Sequence, residues 1–189
     1  MKKIKILSLL FCVVMLVAAC HDDEEGPIIP QPREQVGRTV LVYIVGDNGV
    51  NELSDLFKTN FEDMKEGMKE VDYSKCNLVV YSEMVNDVPR LVSLKKQNGK
   101  VVADTLFTYS EQNPLAKEVM SSVISQTVSY FPADSYGFVF LSHSSSWVPA
   151  TNDANSRSIG YYRRTQMNIP DFHDVLLSSF PRPLKRSEE

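Results

Sequence analysis

Residues Phe138-Val139-Phe140-Leu141-Ser142-His143-Ser144-Ser145-Ser146-Trp147 set an imidazole among small hydroxyl side chains, directly after an apolar run. Histidine titrates near neutral pH, so at such a place it can take or give a proton while a carbonyl is attacked. That chemistry needs a nucleophile, and cysteine is the obvious partner for a lone imidazole. The chain has three cysteines, Cys12, Cys20 and Cys76, and all precede His143. The hydroxyls of residues 142–146 lie too close along the chain to count as a serine–histidine pair, since such runs usually make turns and caps. Taken alone, His143 reads as a packed structural histidine. Cys76 opens an apolar run and reads as a small buried residue at the N-terminal edge of its strand. His21 and His173 have no visible ligand partners, and Asp47 reads equally as a helix cap or a rim ligand. With no zinc, phosphate-loop or dinucleotide signature, no metal and no cofactor is expected.

The elements that must position His143 alternate along the chain. Arg38 to Gly46 is rich in β-branched and aromatic residues and predicts a strand, ended by Asp47-Asn48-Gly49. From Asn51 to Lys69, apolar residues Leu53, Leu56, Phe57, Phe61, Met64 and Met68 recur at helical spacing. Cys76 to Ser82 predicts a second buried strand. Pro89 to Lys95 and Lys100 to Tyr109 flank Gln97-Asn98-Gly99, a hairpin signal because Asn-Gly tolerates positive φ. A helix from Asn113-Pro114 to Tyr130 would bury Leu115, Val119, Val123 and Val128. Pro132 to Ser135 separates it from the buried parallel strand that ends at His143. Residues 148–168 are polar, contain Tyr161 and Tyr162, and suggest a short hairpin above the rim. Pro170 to Phe180 reads as a last helix, and the charged, proline-bearing tail 181–189 cannot be a central strand. This order argues for an α/β fold, a mostly parallel sheet with helices on both faces, whose chemistry sits at the C-terminal ends of the strands.

Composition narrows the setting. Lys2, Lys3 and Lys5 precede an apolar core, Ile6 to Val17, too short to span a bilayer comfortably, so residues 1–19 read as an export signal. Its loss takes three lysines and no acids, moving the net charge from −4 to about −7. An acidic chain lacks the basic footprint that nucleic acid demands. A hydrophobic fraction of 43% is that of a folded domain. Roughly 150 residues follow the tether, enough for one core. Residues 20–37, acidic at Asp22-Asp23-Glu24-Glu25 and then proline-rich, read as that tether. With Cys12 discarded and Cys20 modified, Cys76 would be the one thiol left, which excludes an intramolecular disulfide.

Leu16-Val17-Ala18-Ala19-Cys20 resembles the bacterial lipobox, which implies cleavage before Cys20 and a lipid on its sulfur. More than one acyl chain gives stable anchoring. The acidic cluster after Cys20 resembles the surface-export signal of Bacteroidetes lipoproteins; a solvated spacer is the plainer alternative. The expected place is therefore the outer membrane, with display at the cell surface.

Several blocks, in order, are similar to the clostripain-like cysteine peptidases, relatives of caspases and gingipains: Arg38 to Asn48, Asn60-Phe61-Glu62-Asp63-Met64, Asn77 to Tyr81, Pro132 to Gly137, and Leu141 to Trp147. The resemblance covers about residues 38–180, the N-terminal part of that family's domain, and implies a caspase-like α/β/α sandwich. It gives His143 the place of the catalytic histidine. It also puts Ser144 where the family has a glycine whose amide helps hold the oxyanion, with Ser142, Ser145 and Trp147 in shaping roles. In caspases the cysteine lies roughly 50 residues after the histidine, and in the resembled family it stands on the next strand, which residues 144–189 do not contain. The expectation is thus a lipid-anchored homologue, truncated before its nucleophile and catalytically incompetent. The alternative is a non-catalytic surface lipoprotein binding a protein or peptide on the same scaffold.

Overall fold

A computed structural model of the chain describes residues 31–47, 51–144 and 158–181. The segment expected to be an export signal, the acidic stretch after it, Cys20, His21, Ser145, Ser146 and Trp147 lie outside them. Five strands form one sheet: β1 (Val36–Val45), β2 (Cys76–Glu83), β3 (Arg90–Gln97), β4 (Lys100–Thr108) and β5 (Ala133–Ser142), in the order β4-β3-β2-β1-β5. β1 pairs in parallel with both β2 and β5, while β3 pairs antiparallel with β2 and β4. Four of the five strands therefore point one way and only β3 opposes them. The β3–β4 turn has φ of 51° at Asn98 and 78° at Gly99, the left-handed pair that the Asn-Gly sequence predicts.

Alternation along β1 divides the core into two layers. Leu41, Tyr43 and Val45 face helix α2 (Lys117–Tyr130) and helix α3 (Ile169–Ser179), joined by Val79, Tyr81, Met120, Ile124 and Val175. Val42 and Ile44 face the other way, against Phe57 and its neighbours on helix α1 (Asn51–Gly67). This is the α/β/α sandwich that the alternation of elements implied. A single turn of 3-10 helix, Met68–Glu70, closes α1 and buries Met68.

Three expectations are corrected. Helix α2 begins at Lys117 rather than at Asn113-Pro114, because the Asn113 side chain accepts from Leu115 N (3.0 Å) and holds those residues in a turn. β5 begins at Ala133, so residues 133–135 are strand and not spacer. β5 is parallel as expected but not buried: it is the sheet's edge among the described residues, and Val139 is 42% exposed.

Polar groups stitch the layers together. Ser54, 1% exposed on α1, donates to Gly46 O (3.0 Å) and accepts from Val85 N (3.0 Å), so one hydroxyl joins the ends of β1 and β2 to the helix. Removing it leaves a buried carbonyl and amide without that partner, at a cost of about 1–3 kcal/mol. Ser54→Ala should lower the free energy of unfolding by that amount, seen in urea as a lower midpoint with the slope of the transition unchanged.

Candidate active site

Register places the chemistry. Along β1, Arg38 is level with Cys76 and Ser135, and Val45 is level with Glu83 and Ser142. The residues that follow, Asp47 on one strand and His143 on another, therefore emerge at the same rim, where the parallel strands end. Cys76 stands at the opposite rim. Seven residues of strand separate the two levels, roughly 23 Å at about 3.3 Å per residue. Cys76 is not His143's partner, and it is half-buried rather than buried because it opens its strand.

The His143 side chain is exposed, and its ring meets Tyr161 at 5.2 Å between centroids, inclined at 61°. Tyr161 lies on a two-stranded hairpin, β6 (Ser158–Tyr162) and β7 (Thr165–Asn168), which realises the short hairpin suggested for this segment. The two serines flanking His143 hold this hairpin. Tyr161 N donates to Ser142 Oγ at 3.2 Å, Ser142 Oγ lies 3.4 Å from Tyr161 O, and Ser144 Oγ donates to Ser158 O at 3.0 Å. Both hydroxyls are engaged with backbone groups of the hairpin. Gly160 permits the close fit: a Cβ there would meet Leu115 Cδ2 and Phe140 Cζ at 2.9 Å.

Behind the hairpin is a set of carboxylates that the sequence reading did not assemble. Asp47, 6% exposed, takes Arg163 Nε at 2.7 Å, and Arg163 Nη1 donates to Glu111. Arg163 N also donates to Asp47 O at 2.9 Å, and the guanidinium lies 5.0 Å from the centre of the Tyr162 ring. Asp47 is thus engaged by an arginine 116 residues away. Glu83, 2% exposed, has its Oε2 without a hydrogen-bond partner. Burial, and then the nearby charge of Asp47, push its carboxyl up to about 7, against the opposing pull of Arg163. The Tyr162 hydroxyl is pushed up to about 12, chiefly by burial and then by Glu83, so it stays neutral. Sequence reasoning missed Glu83 and Arg163. The one local signal for either was an acid at the end of an otherwise apolar strand. His173 is exposed, with Nδ1 3.6 Å from Asp174. Among the described residues no group of three or more histidine, cysteine or acidic side chains could hold a metal ion.

Comparison with known proteins supplies a context for this rim. A model of the clostripain family matches residues 42–182. Among solved structures, a B. fragilis cysteine protease is 41% identical, with a TM-score of 0.55 over 63% of this chain and 98% of that one. A secreted C11 cysteine protease from Bacteroides thetaiotaomicron, solved with an irreversible peptide inhibitor, is 40% identical with a TM-score of 0.63 over 75% of this chain. An inactive zymogen C11 protease from Parabacteroides distasonis is 34% identical, with a TM-score of 0.56 over 62% of this chain. This chain spans 39% and 34% of the latter two proteins. No curated protein matches.

The Glu83 carboxyl yields a pH prediction. Its proton is held more tightly in the folded chain than in the unfolded one, whose glutamates titrate near 4.3. Its contribution therefore favours folding below that pH and is lost as pH rises through about 7. Glu83→Gln should raise the free energy of unfolding at pH 8 by on the order of 2 kcal/mol. That gain should shrink towards pH 5. Urea titrations at the two pH values measure it, and an equal effect at both would contradict the assignment.

Proposed function

Because the chain belongs to the clostripain family of cysteine peptidases, we propose that His143 is the proton-transferring residue of a cysteine-peptidase site. The thiol comes from polypeptide outside residues 1–189. The observation that carries this reading is the place of His143, one residue past the end of a parallel strand whose outer edge has no neighbour among the described residues. A strand added there would lie about 4.8 Å from β5. Run in parallel, its C-terminal end would bring a side chain level with Ser142 and within reach of the imidazole.

The chemistry then follows from the residue types. A thiolate attacks the amide carbonyl of a peptide substrate, and the C–N bond breaks as His143 gives a proton to the leaving amine. The neutral imidazole next takes a proton from water, whose oxygen attacks the thioester; the C–S bond breaks, freeing the acid and restoring the thiolate beside a protonated His143. The backbone amide of Ser144 is the candidate donor to the oxyanion, since a serine keeps the N–H that a glycine would present there.

On this reading residues 20–189 alone turn over no peptide. Purified chain incubated with peptide reporters bearing Arg, Lys and other residues at the cleaved bond should give no product. When the thiol-bearing strand is supplied, cleavage should appear, and His143→Ala should lower it by about 10²–10⁴-fold. Turnover by the isolated chain that Cys76→Ala abolishes would overturn the proposal. A completed protein that binds peptide but never cleaves it would favour the non-catalytic surface-binding reading.

We propose further that Cys20 carries the lipid anchor, on the strength of the short apolar leader and the small residues before it. Labelled fatty acid should enter the native protein and fail to enter Cys20→Ser, which should leave the membrane fraction. Equal labelling of both would reject the anchor.

A further inference from the structure

The proposed chemistry assigns no task to the β6–β7 hairpin, although the hairpin is tied to the rim at both of its sides. On the β5 side, Ser142 and Ser144 bind the backbone of Tyr161 and Ser158. On the β1 side, Arg163 binds both the carbonyl and the carboxylate of Asp47 and also reaches Glu111. The hairpin therefore bridges the ends of the two strands that must hold station for His143 to be useful. The ring it sets against the imidazole is that of Tyr161.

The turn itself supports a role beyond connection. Tyr162 pairs with Thr165, leaving Arg163 and Arg164 as a two-residue loop. Arg163 has a φ of 51°, in the left-handed region where glycine is the usual residue of such loops. A long side chain there is strained, and such strain persists only where surrounding contacts enforce it. The contacts to Asp47 and Glu111 are of that kind, and a fork of N–H donors can hold two carboxylates at once.

We propose that Tyr161 is a positioning residue for His143 and that Arg163 is the latch that keeps it in place. An exposed imidazole at the end of a strand would otherwise sample several rotamers, and a misplaced proton donor loses most of its advantage. The proposal rests on the reading of His143 as the proton-transferring residue, but its structural part can be tested without turnover.

The test is nuclear magnetic resonance of the full chain with labelled histidine, the His143 signals being identified by their loss in His143→Ala. The ring protons of His143 should carry a displacement from the Tyr161 ring. Tyr161→Phe should keep that displacement and Tyr161→Ala should lose it. Arg163→Gly separates a latch from an ordinary turn. If Arg163 merely made the turn, glycine would relieve strain and tighten the hairpin. A latch instead requires the His143 displacement to collapse and the amides of residues 159–162 to exchange about tenfold faster. An unaltered His143 signal in Tyr161→Ala, or greater protection in Arg163→Gly, would overturn the proposal. In the completed peptidase, Tyr161→Ala should lower kcat about tenfold with KM nearly unchanged. Full activity in His143→Ala would sink the peptidase reading instead, while the ring contact measured in the native chain would still stand.

Discussion

Parallel pairing of β1 on both of its flanks is the constraint from which the rest of the molecule follows. A strand hydrogen-bonded on two sides and covered on two faces must be apolar along its length, and Tyr43, Ile44 and Val45 are fully buried. Parallel neighbours also demand crossovers, which α1 supplies between β1 and β2. The register then leaves no freedom at the rim: Val45, Glu83 and Ser142 are level, so whatever follows them converges. His143 and Asp47 share one end of the sheet because β1 fixes them there. Cys76 is held away from His143 by the same register.

That convergence has an electrostatic consequence. Asp47 and Glu83 are both buried, and the charge of Asp47 adds to burial in raising the Glu83 carboxyl. Arg163 supplies the compensating cation, and it arrives only when the β6–β7 hairpin docks. Hairpin docking and the ionisation of Glu83 are thus linked through Arg163. The surrounding phenols add no charge of their own. Burial raises the hydroxyls of Tyr81, Tyr109 and Tyr162, so all three remain neutral at any physiological pH.

Much of this architecture was legible in the residues because it depends on local pattern. β-branched runs marked β1 and β2, Asn98-Gly99 marked the β3–β4 turn, and apolar spacing marked α1 and α3 to within a residue or two. The start of α2 was misread because Asn113 and Pro114 look like a helix entry, whereas the Asn113 side chain makes a turn and Pro114 O accepts from the buried Tyr43 hydroxyl at 2.7 Å. The exposure of β5 was also illegible: an apolar run has the same composition whether or not a neighbour covers it. At the site, His143 and its serines could be read from one short segment. Arg163, Glu83 and Tyr161 could not, since their partners lie far off in the chain and only the folded register brings them together.

The two faces of β5 differ in how they are covered. Phe138 and Phe140 pack on Phe172 of α3, with ring centroids 5.8 and 5.3 Å apart, so that face is closed. On the other face, Val139 and Leu141 line an open groove of about 510 Å³ with Val40, Leu78 and Met64. Among the described residues, the open groove and the unpaired edge belong to the same strand. An exposed edge beside an apolar groove is a template for strand addition, and isolated it favours aggregation. A parallel strand with a side chain over the groove would close both at once. His143 stands at the head of both, so on the proposed reading a strand that satisfied this edge would also bring its side chains to the imidazole.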